Sequence, residues 1–376
     1  MIRLTIPSIG EEDLEAVREA VSSGYLVQGQ RVAAFEQTVA NYVGTEHAIA
    51  VSNCTAALHL ALLVLDVRPA DLVVVTTYSW IATANVIELC GAQPVFVDIQ
   101  PDTFNMDPER LAETLKRLKS NEETNSRVKA ILPVHTFGQM ANMPAIMELA
   151  NQYNLPVIED AACALGAKWQ GKRSGTWGAM GCFSFHPRKA ITTGEGGIIT
   201  TNDAAFAHCL RALRNHGQNP EVSAPDFIMP GFNYRMTEFQ AALGRKQMEK
   251  LDRIIAKRRQ LASHYDELLS GTNVLAPAIP SESWTVYQSY VVLLPEQFTN
   301  KRQEIITTLR KRDVEVNIGT IHMPLTSYFR EKYALQQGDF PVTDSIAKRA
   351  LSLPLYENLS TANQEVVVKN LLGLIG

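Results

Sequence analysis

Lys189 stands in a sequence setting that suits a lysine with a chemical role. A short apolar run, residues 182–185, is typical of a buried strand, and Pro187 ends it just before Lys189. A glycine-rich bend at residues 194–197 and a second short strand at 198–201 follow. A lysine held between buried strands loses solvation, which lowers its pKa and leaves a neutral amine able to form a Schiff base. An ordinary solvated surface lysine is the alternative interpretation.

Asp160 is a second side chain in a chemically demanding place. It follows a short apolar segment, residues 156–158, that is typical of a buried strand. An unpaired carboxylate at the edge of a buried sheet is costly, so Asp160 requires a cationic partner, and a protonated heterocyclic nitrogen would serve. The alternative is that Asp160 caps a helix over residues 161–165.

A polar turn at residues 53–55 separates a predicted strand, 47–52, from a predicted helix, 56–65. A helix that begins directly after a strand offers free backbone N–H groups to a phosphate, and the Thr55 hydroxyl adds a further donor. An ordinary helix cap is the alternative. Together, an amine for a Schiff base, a counter-ion for a ring nitrogen and a cup for a phosphate are what pyridoxal 5′-phosphate (PLP) requires.

The elements that must position these residues alternate along the chain. The further predicted strands are 72–76, 94–98, 128–134 and 156–158, with helices between them. Near-continuous apolar strands separated by helices predict an α/β fold with a mainly parallel sheet covered on both faces. Ligands of such sheets bind beyond the carboxyl ends of the strands. The side chains at these predicted ends are Thr55, Trp80, His135, Asp160 and Lys189.

Beyond residue 237 the pattern changes to a long charged helix, 238–269, followed by mixed short strands and helices. This change predicts a large α/β domain, residues 1–245, with an N-terminal helical segment. A smaller α+β domain, residues 246–376, follows it.

Composition excludes several classes of protein. The chain has 376 residues, 46% of them hydrophobic, and a net charge of −4, so it has no basic field for nucleic acid or an anionic membrane. No apolar run approaches the length of a membrane span, which predicts a soluble, cytoplasmic protein. The five cysteines form no C-x-x-C pair, and the histidines lack the spacing of metal ligands. We therefore expect reduced thiols and no catalytic metal.

Nearly the whole chain resembles the DegT/DnrJ/EryC1/StrS family of sugar aminotransferases, which are fold-type I PLP enzymes. The matches occur in the family's order, which makes chance similarity improbable. The matching segments are Gly29 with 35–36, 53–58, 78–84, 97–98, 159–162, 183–186 to Lys189, 194–197, 214–217 and 231–236.

The resemblance implies that both subunits of a homodimer hold PLP in shared active sites. Lys189 would form the Schiff base, and Asp160 would pair with the pyridine nitrogen. The other implied cofactor contacts are Thr55, Ala56 and Ser184 at the phosphate, Trp80 over the ring, and Asn233 of the partner subunit at the phosphate.

The resemblance also implies a reaction: transfer of an amino group from L-glutamate to a nucleotide-linked keto-sugar through the pyridoxamine form of the cofactor. The segment 191–197 is most similar to members that aminate 4-keto-6-deoxyhexoses at C4. Candidate substrate contacts are His322, Tyr25 and His186. Amination of a 3-keto-sugar or a ketocyclitol is an alternative.

One further alternative is a PLP-binding regulatory protein without turnover. The presence of Lys189, Asp160 and Asn233 argues against it. A related branch that deoxygenates sugars has His in place of the lysine, so Lys189 favours transamination. Cys163 departs from the family pattern, because relatives often have His, Gln or Glu at that position. This departure leaves the sugar subtype open.

Overall fold

The computed structural model describes residues 1–222 and 224–375. Its strands are β1 (His47–Val51), β2 (Leu72–Thr76), β3 (Tyr78–Ser79), β4 (Gln93–Val97), β5 (Val128–Leu132), β6 (Ile158–Asp160), β7 (Lys168–Trp169), β8 (Lys172–Arg173), β9 (Met180–Ser184), β10 (Gly197–Thr201), β11 (Ser283–Trp284), β12 (Tyr290–Leu293), β13 (Asn317–Ile318), β14 (Ile321–His322) and β15 (Ala350–Leu353). Its α-helices are α1 (Glu11–Ser22), α2 (Gln30–Val43), α3 (Cys54–Val64), α4 (Ala82–Leu89), α5 (Pro108–Ser120), α6 (Glu122–Asn125), α7 (Met143–Gln152), α8 (Ala204–Arg214), α9 (Glu238–Leu269), α10 (Arg302–Lys311), α11 (Ser327–Lys332), α12 (Pro341–Arg349) and α13 (Thr361–Ile375).

A central sheet runs through the first part of the chain in the order β1, β10, β9, β6, β5, β2, β4. Parallel bridges from Ile131 to Val157 and from Val134 to Asp160 join β5 to β6. Strand β10 is antiparallel to both neighbours, whereas the other adjacent pairs are parallel. Residues 185–196 connect β9 to β10 without a helix, so the chain returns as a hairpin. The predicted mainly parallel α/β sheet is confirmed.

Helices cover both faces of this sheet because the strands are apolar on both sides. In β2, Val74 packs into a core shared with Phe35 of α2, whereas Val73 and Val75 pack into a second core with Leu60 of α3. All five residues of β2 are buried. Successive side chains of a strand point to opposite faces, so a near-continuous apolar strand requires a helical layer on each face.

A third core lies around the later part of the chain. The end of α9, the antiparallel sheet β12-β15-β13 and the helices α10 and α13 contribute to it. Thr237 caps helix α9, which runs unbroken from Glu238 to Leu269. The predicted boundary between residues 245 and 246 falls inside this helix, and the two-domain division stays a prediction. No helix in the described part of the chain is both long enough and apolar enough to cross a bilayer.

Two of the connections between the later part of the chain and the part that carries the central sheet bear on the predicted site. Strand β14 pairs antiparallel with β3, which places His322 opposite Tyr78. The buried side chain of Arg258 in α9 donates to the backbone carbonyls of Tyr287 and Gln288. Gln288 in turn donates from Nε2 to the carbonyl of Arg188 at 2.9 Å. The loop that carries Lys189 is therefore held from the C-terminal side.

Candidate active site

Asp160 is the last residue of β6 and is buried, with only 3% of its surface exposed. One oxygen, Oδ2, accepts from the Thr83 hydroxyl at 2.7 Å, and Oδ1 accepts from the Ala162 N–H at 3.2 Å. Burial raises the pKa of Asp160, while these hydrogen bonds and the charge of Lys189 act in the opposite direction. The chain continues from Asp160 as a turn, so the alternative of a helix cap over residues 161–165 is wrong.

Thr83 is a site residue to which sequence reasoning assigned no role. It lies in the first turn of α4, and its hydroxyl contacts both Asp160 and Ser79, the latter at 2.9 Å. An ionised carboxylate only accepts hydrogen bonds, so Thr83 donates to Asp160 and accepts from Ser79. The sequence signal that could have indicated this role is the pair of hydroxyl residues Ser79 and Thr83, which lie four positions apart where a strand ends and a helix begins.

A buried support holds Asp160 from behind. The Glu159 carboxylate accepts from the backbone N–H groups of Gly175, Trp177 and Gly178, and from His135 Nε2 at 2.9 Å. The backbone N–H of His135 donates to the Asp160 carbonyl at 3.0 Å. His135 Nδ1 accepts from the Ala141 N–H, so the ring is the neutral Nε2–H tautomer. His135, which the sequence placed at a strand end, therefore positions β6.

Lys189 lies in the turn after β9, half-buried, with its backbone N–H bonded to the His186 carbonyl at 2.8 Å. Its Nζ donates to Cys163 Sγ at 3.1 Å. Burial lowers the pKa of Lys189, but Cys163, Cys54 and Asp160 raise it by more, so the pKa lies above its ordinary value. The predicted lowering of this pKa is wrong, because the packing that buries the amine also brings Cys163, Cys54 and Asp160 close to it.

The N-terminus of α3 is the second half of the site. Asn53 caps it by accepting from the Ala56 N–H at 2.8 Å. Among the described residues, the N–H groups of Cys54 and Thr55 have no acceptor. A Cβ on Gly197 would lie 2.4 Å from the Asn53 carbonyl carbon, so β10 packs directly on this turn. Because the N–H groups of Cys54 and Thr55 have no acceptor, they are free to bind an anion at this turn.

These features fit PLP. A phosphate requires free N–H donors, a pyridinium requires a buried carboxylate, and an aldehyde requires an amine. Thr55, Asp160 and Lys189 follow or end β1, β6 and β9, which run parallel, so all three lie at the carboxyl edge of the sheet. Trp80 follows β3 with 64% of its surface exposed, which leaves an aromatic face available for a ring.

Ser184 and His186 stay close to Lys189, as their sequence positions predict. Ser184 ends β9, and its Oγ accepts from the His186 N–H at 3.4 Å. Burial lowers the pKa of His186, and its Nδ1 accepts from the Arg188 N–H. Both side chains therefore shape the turn that carries the amine.

Three other predicted contacts lie apart from this cluster. Asn233 is exposed on a segment that pairs with Asn215, and Tyr25 is 77% exposed. No hydrogen bond within the described residues connects either one to Lys189. His322 bonds from Nε2 to Asp344 at 3.1 Å, and burial lowers its pKa. Their roles in binding stay predictions.

The described residues contain no group of three or more His, Cys, Asp or Glu side chains that could hold a metal ion.

Comparison with known proteins agrees with this geometry. The family model described as "DegT/DnrJ/EryC1/StrS aminotransferase family" matches residues 7–372. A GDP-perosamine synthase of Caulobacter vibrioides is 37% identical over 98% of this chain and 96% of the relative. A UDP-4-amino-4-deoxy-L-arabinose–oxoglutarate aminotransferase of Shewanella sediminis is 33% identical over 98% of this chain and 97% of the relative.

A solved structure shares the architecture. The PLP form of Spr1654 from Streptococcus pneumoniae superposes with a TM-score of 0.90 at 25% identity, covering 98% of this chain and 97% of the other. The predicted fold, enzyme class and cofactor are confirmed. The chain belongs to the DegT/DnrJ/EryC1/StrS family and is a PLP-dependent sugar aminotransferase of fold-type I.

Proposed function

We propose that this enzyme transfers the amino group of L-glutamate to C4 of a nucleotide-linked 4-keto-6-deoxyhexose. The observation that carries the amino-transfer chemistry is the meeting of the Lys189 amine and the buried Asp160 carboxylate at one edge of the sheet. The relative named for UDP-4-amino-4-deoxy-L-arabinose and oxoglutarate supports both the C4 position and the glutamate donor. The relative named for GDP-perosamine supports a nucleotide-linked sugar.

Lys189 is the proposed proton carrier of the reaction. When bound, PLP supplies an aldehyde that accepts the amino group and a ring that withdraws electrons from the reacting carbon. Once its amine is free, Lys189 takes the proton from the amino-acid carbon and returns a proton to the sugar carbon. The hydrogen bond from the Lys189 N–H to the His186 carbonyl fixes the backbone from which this side chain extends.

Asp160 is proposed to hold the pyridine nitrogen of the cofactor in its protonated form. A buried carboxylate strongly favours a cation beside it, since an unpaired charge is costly where water is excluded. Thr83 and the Ala162 N–H occupy its outer lone pairs and fix its orientation. The ring would then keep its electron-withdrawing character throughout the reaction.

The phosphate is proposed to bind at the N-terminus of α3. The N–H groups of Cys54 and Thr55, with the hydroxyls of Thr55 and Ser184, would be its donors, and Ala56 would leave room for it. The dipole of α3 adds a favourable field for the anion. We place Trp80 over the cofactor ring, where a flat apolar face is available.

The sugar would enter beside Trp80. His186, next to Lys189, and Tyr25 are proposed sugar contacts. The pairing of β14 with β3 brings His322 to the same region. His322 Nδ1 is buried without a partner among the described residues, so this nitrogen would be its contact with the substrate.

We propose a homodimer with shared active sites. Large apolar side chains are exposed along residues 25–27 and 227–239, namely Tyr25, Leu26, Val27, Phe227, Ile228 and Phe239. The two segments are joined by a bridge from Val27 to Thr237. An exposed apolar surface of this kind is typical of a protein interface. Covering it with a second copy would bring Asn233 of the partner subunit to the phosphate.

Visible spectroscopy tests the amino-transfer proposal. The chain loaded with PLP should show the absorption band of the lysine-bound cofactor, L-glutamate should remove this band, and an accepted keto-sugar should restore it. A panel should compare 4-keto-6-deoxyhexoses with 3-keto-sugars and ketocyclitols, each with different nucleotides. Restoration by a 3-keto-sugar or a ketocyclitol alone would replace the C4 assignment. A band that glutamate leaves unchanged would favour the regulatory alternative.

Mixing two inactive variants tests the shared site. In a mixture of Lys189→Ala and Asn233→Ala chains, half of the dimers are hybrid and each hybrid has one intact site. About a quarter of the wild-type activity should therefore return after subunit exchange. A mixture that stays inactive while hybrid dimers form would show that Asn233 acts within its own subunit.

A further inference from the structure

Cys163 lies directly beside the amine of Lys189. It belongs to the turn that follows Asp160, and it is half-buried. The backbone of this turn is fixed at both ends, because Ala161 donates to the Cys182 carbonyl and Ala164 donates to the Ala161 carbonyl. The thiol therefore stands on a rigid support, 3.1 Å from Lys189 Nζ.

Other ionisable groups face Lys189 from each neighbouring element. They are Asp160 from β6, Cys54 from the start of α3 and His186 from the same turn as Lys189. Burial raises the pKa of Cys54 well above its usual range, so that thiol is neutral at neutral pH. Asp160 is already engaged by Thr83 and Ala162. Within the described residues, Cys163 Sγ is the acceptor that Nζ contacts.

We propose that Cys163 is a positioning residue that holds the free amine of Lys189 and stabilises it once it carries a proton. This inference rests on the proposed role of Lys189. An ammonium is a stronger hydrogen-bond donor than a neutral amine, so an acceptor on Nζ stabilises the charged form. The contact also prevents the long lysine side chain from sampling other rotamers.

The consequence for the reaction has two sides. A protonated Lys189 is ready to return a proton to the sugar carbon, which is the step that completes the amino sugar. The same protonation slows renewed attack of the amine on PLP, because only the neutral amine is a nucleophile. Cys163 thus favours proton return over recapture of the cofactor by the lysine.

Acylation of single lysines at a series of pH values tests this pairing directly. Full-length chain freed of PLP would receive a brief pulse of acetic anhydride, which modifies neutral amines, and mass spectrometry of the peptides would report Lys189. In Cys163→Ala the pH at which acylation of Lys189 is half-maximal, its midpoint, should move down by about one pH unit. In Cys163→Ser it should move less, because a hydroxyl still accepts. Lys250, which pairs with Asp13, serves as the internal control and should not move.

The rate of PLP capture supplies an independent readout. At a pH below the wild-type midpoint, Cys163→Ala should bind PLP covalently about tenfold faster, since one pH unit changes the neutral fraction tenfold. Equal Lys189 midpoints in wild type and Cys163→Ala would overturn the proposal, as would an upward shift. Failure of the amino-transfer proposal would show differently: Lys189→Ala would retain turnover, whatever the acylation midpoint is.

Discussion

The hydrogen bond from Thr83 to Asp160 offers a sharp test of the site, because Val has nearly the shape of Thr without its hydroxyl. In Thr83→Val the carboxylate loses a donor at 2.7 Å in a buried setting. A hydrogen bond to a charged group contributes about 1.5–3 kcal/mol, and one pKa unit corresponds to about 1.4 kcal/mol. The pKa of Asp160 should therefore rise by about one to two units.

The direction of the pH shift follows from the protonation of Asp160. A higher pKa means that the Asp160 carboxylate is neutralised at a higher pH as the solution is acidified. The acid limb of kcat/KM for amino transfer should therefore move up by about one to two pH units, with about a 10- to 100-fold loss at a pH below that limb. The pH profile, measured with saturating PLP, is the assay.

Two control variants separate this effect from general damage. Thr83→Ser keeps the hydroxyl and should restore most of the acid limb. Ser79→Ala removes a side chain that contacts Thr83 but not Asp160, so it should shift the limb by less. A Thr83→Val enzyme with the wild-type acid limb would refute the role of this hydroxyl in holding Asp160.

Three further variants test other parts of the structure. Lys189→Ala should abolish turnover and the visible band of bound PLP, and retained turnover would contradict the assigned chemistry. Gly197→Ala places a Cβ 2.4 Å from the Asn53 backbone, so urea unfolding should show a loss of about 1–3 kcal/mol and PLP should bind more weakly, whereas Gly373→Ala, which meets no neighbour, should do neither. Burial lowers the pKa of His59 below 6.5 in the folded protein. As the pH falls below 6.5, His59 is therefore protonated more readily in the unfolded chain than in the folded one, and the folded protein loses stability. His59→Gln should flatten that part of the curve of Tm against pH, and an unchanged slope would assign it to other groups.

Much of the fold could be predicted from the chain because its signals are local. The apolar segment Leu72–Thr76 and the capped helix Glu238–Leu269 both occur with the predicted bounds. Such segments can be recognised from their hydrophobic periodicity and their capping residues, because both depend on residues close together in the sequence. Predicted ends elsewhere differed by a few residues, as at α3, which begins at Cys54 instead of Ala56.

The direction of β10 and the pairing of β14 with β3 could not be predicted in the same way. Both depend on hydrogen bonds between segments far apart in the chain, such as Ile321 with Ser79. Strand polarity carries no signature in a short apolar run, because parallel and antiparallel strands bury the same side chains. The route of the backbone between the strands decides it.

The sequence by itself determined which residue types stand at the strand ends, and therefore that an amine, a carboxylate and a helix N-terminus would meet at one edge of a sheet. Only the tertiary structure decided what surrounds each of them. It gave Asp160 its Thr83 donor, and it placed Cys163 on Lys189, whose pKa is raised instead of lowered. A pKa is set by charges and hydrogen bonds within a few ångströms, and the residues that supply them are brought together by packing across the chain.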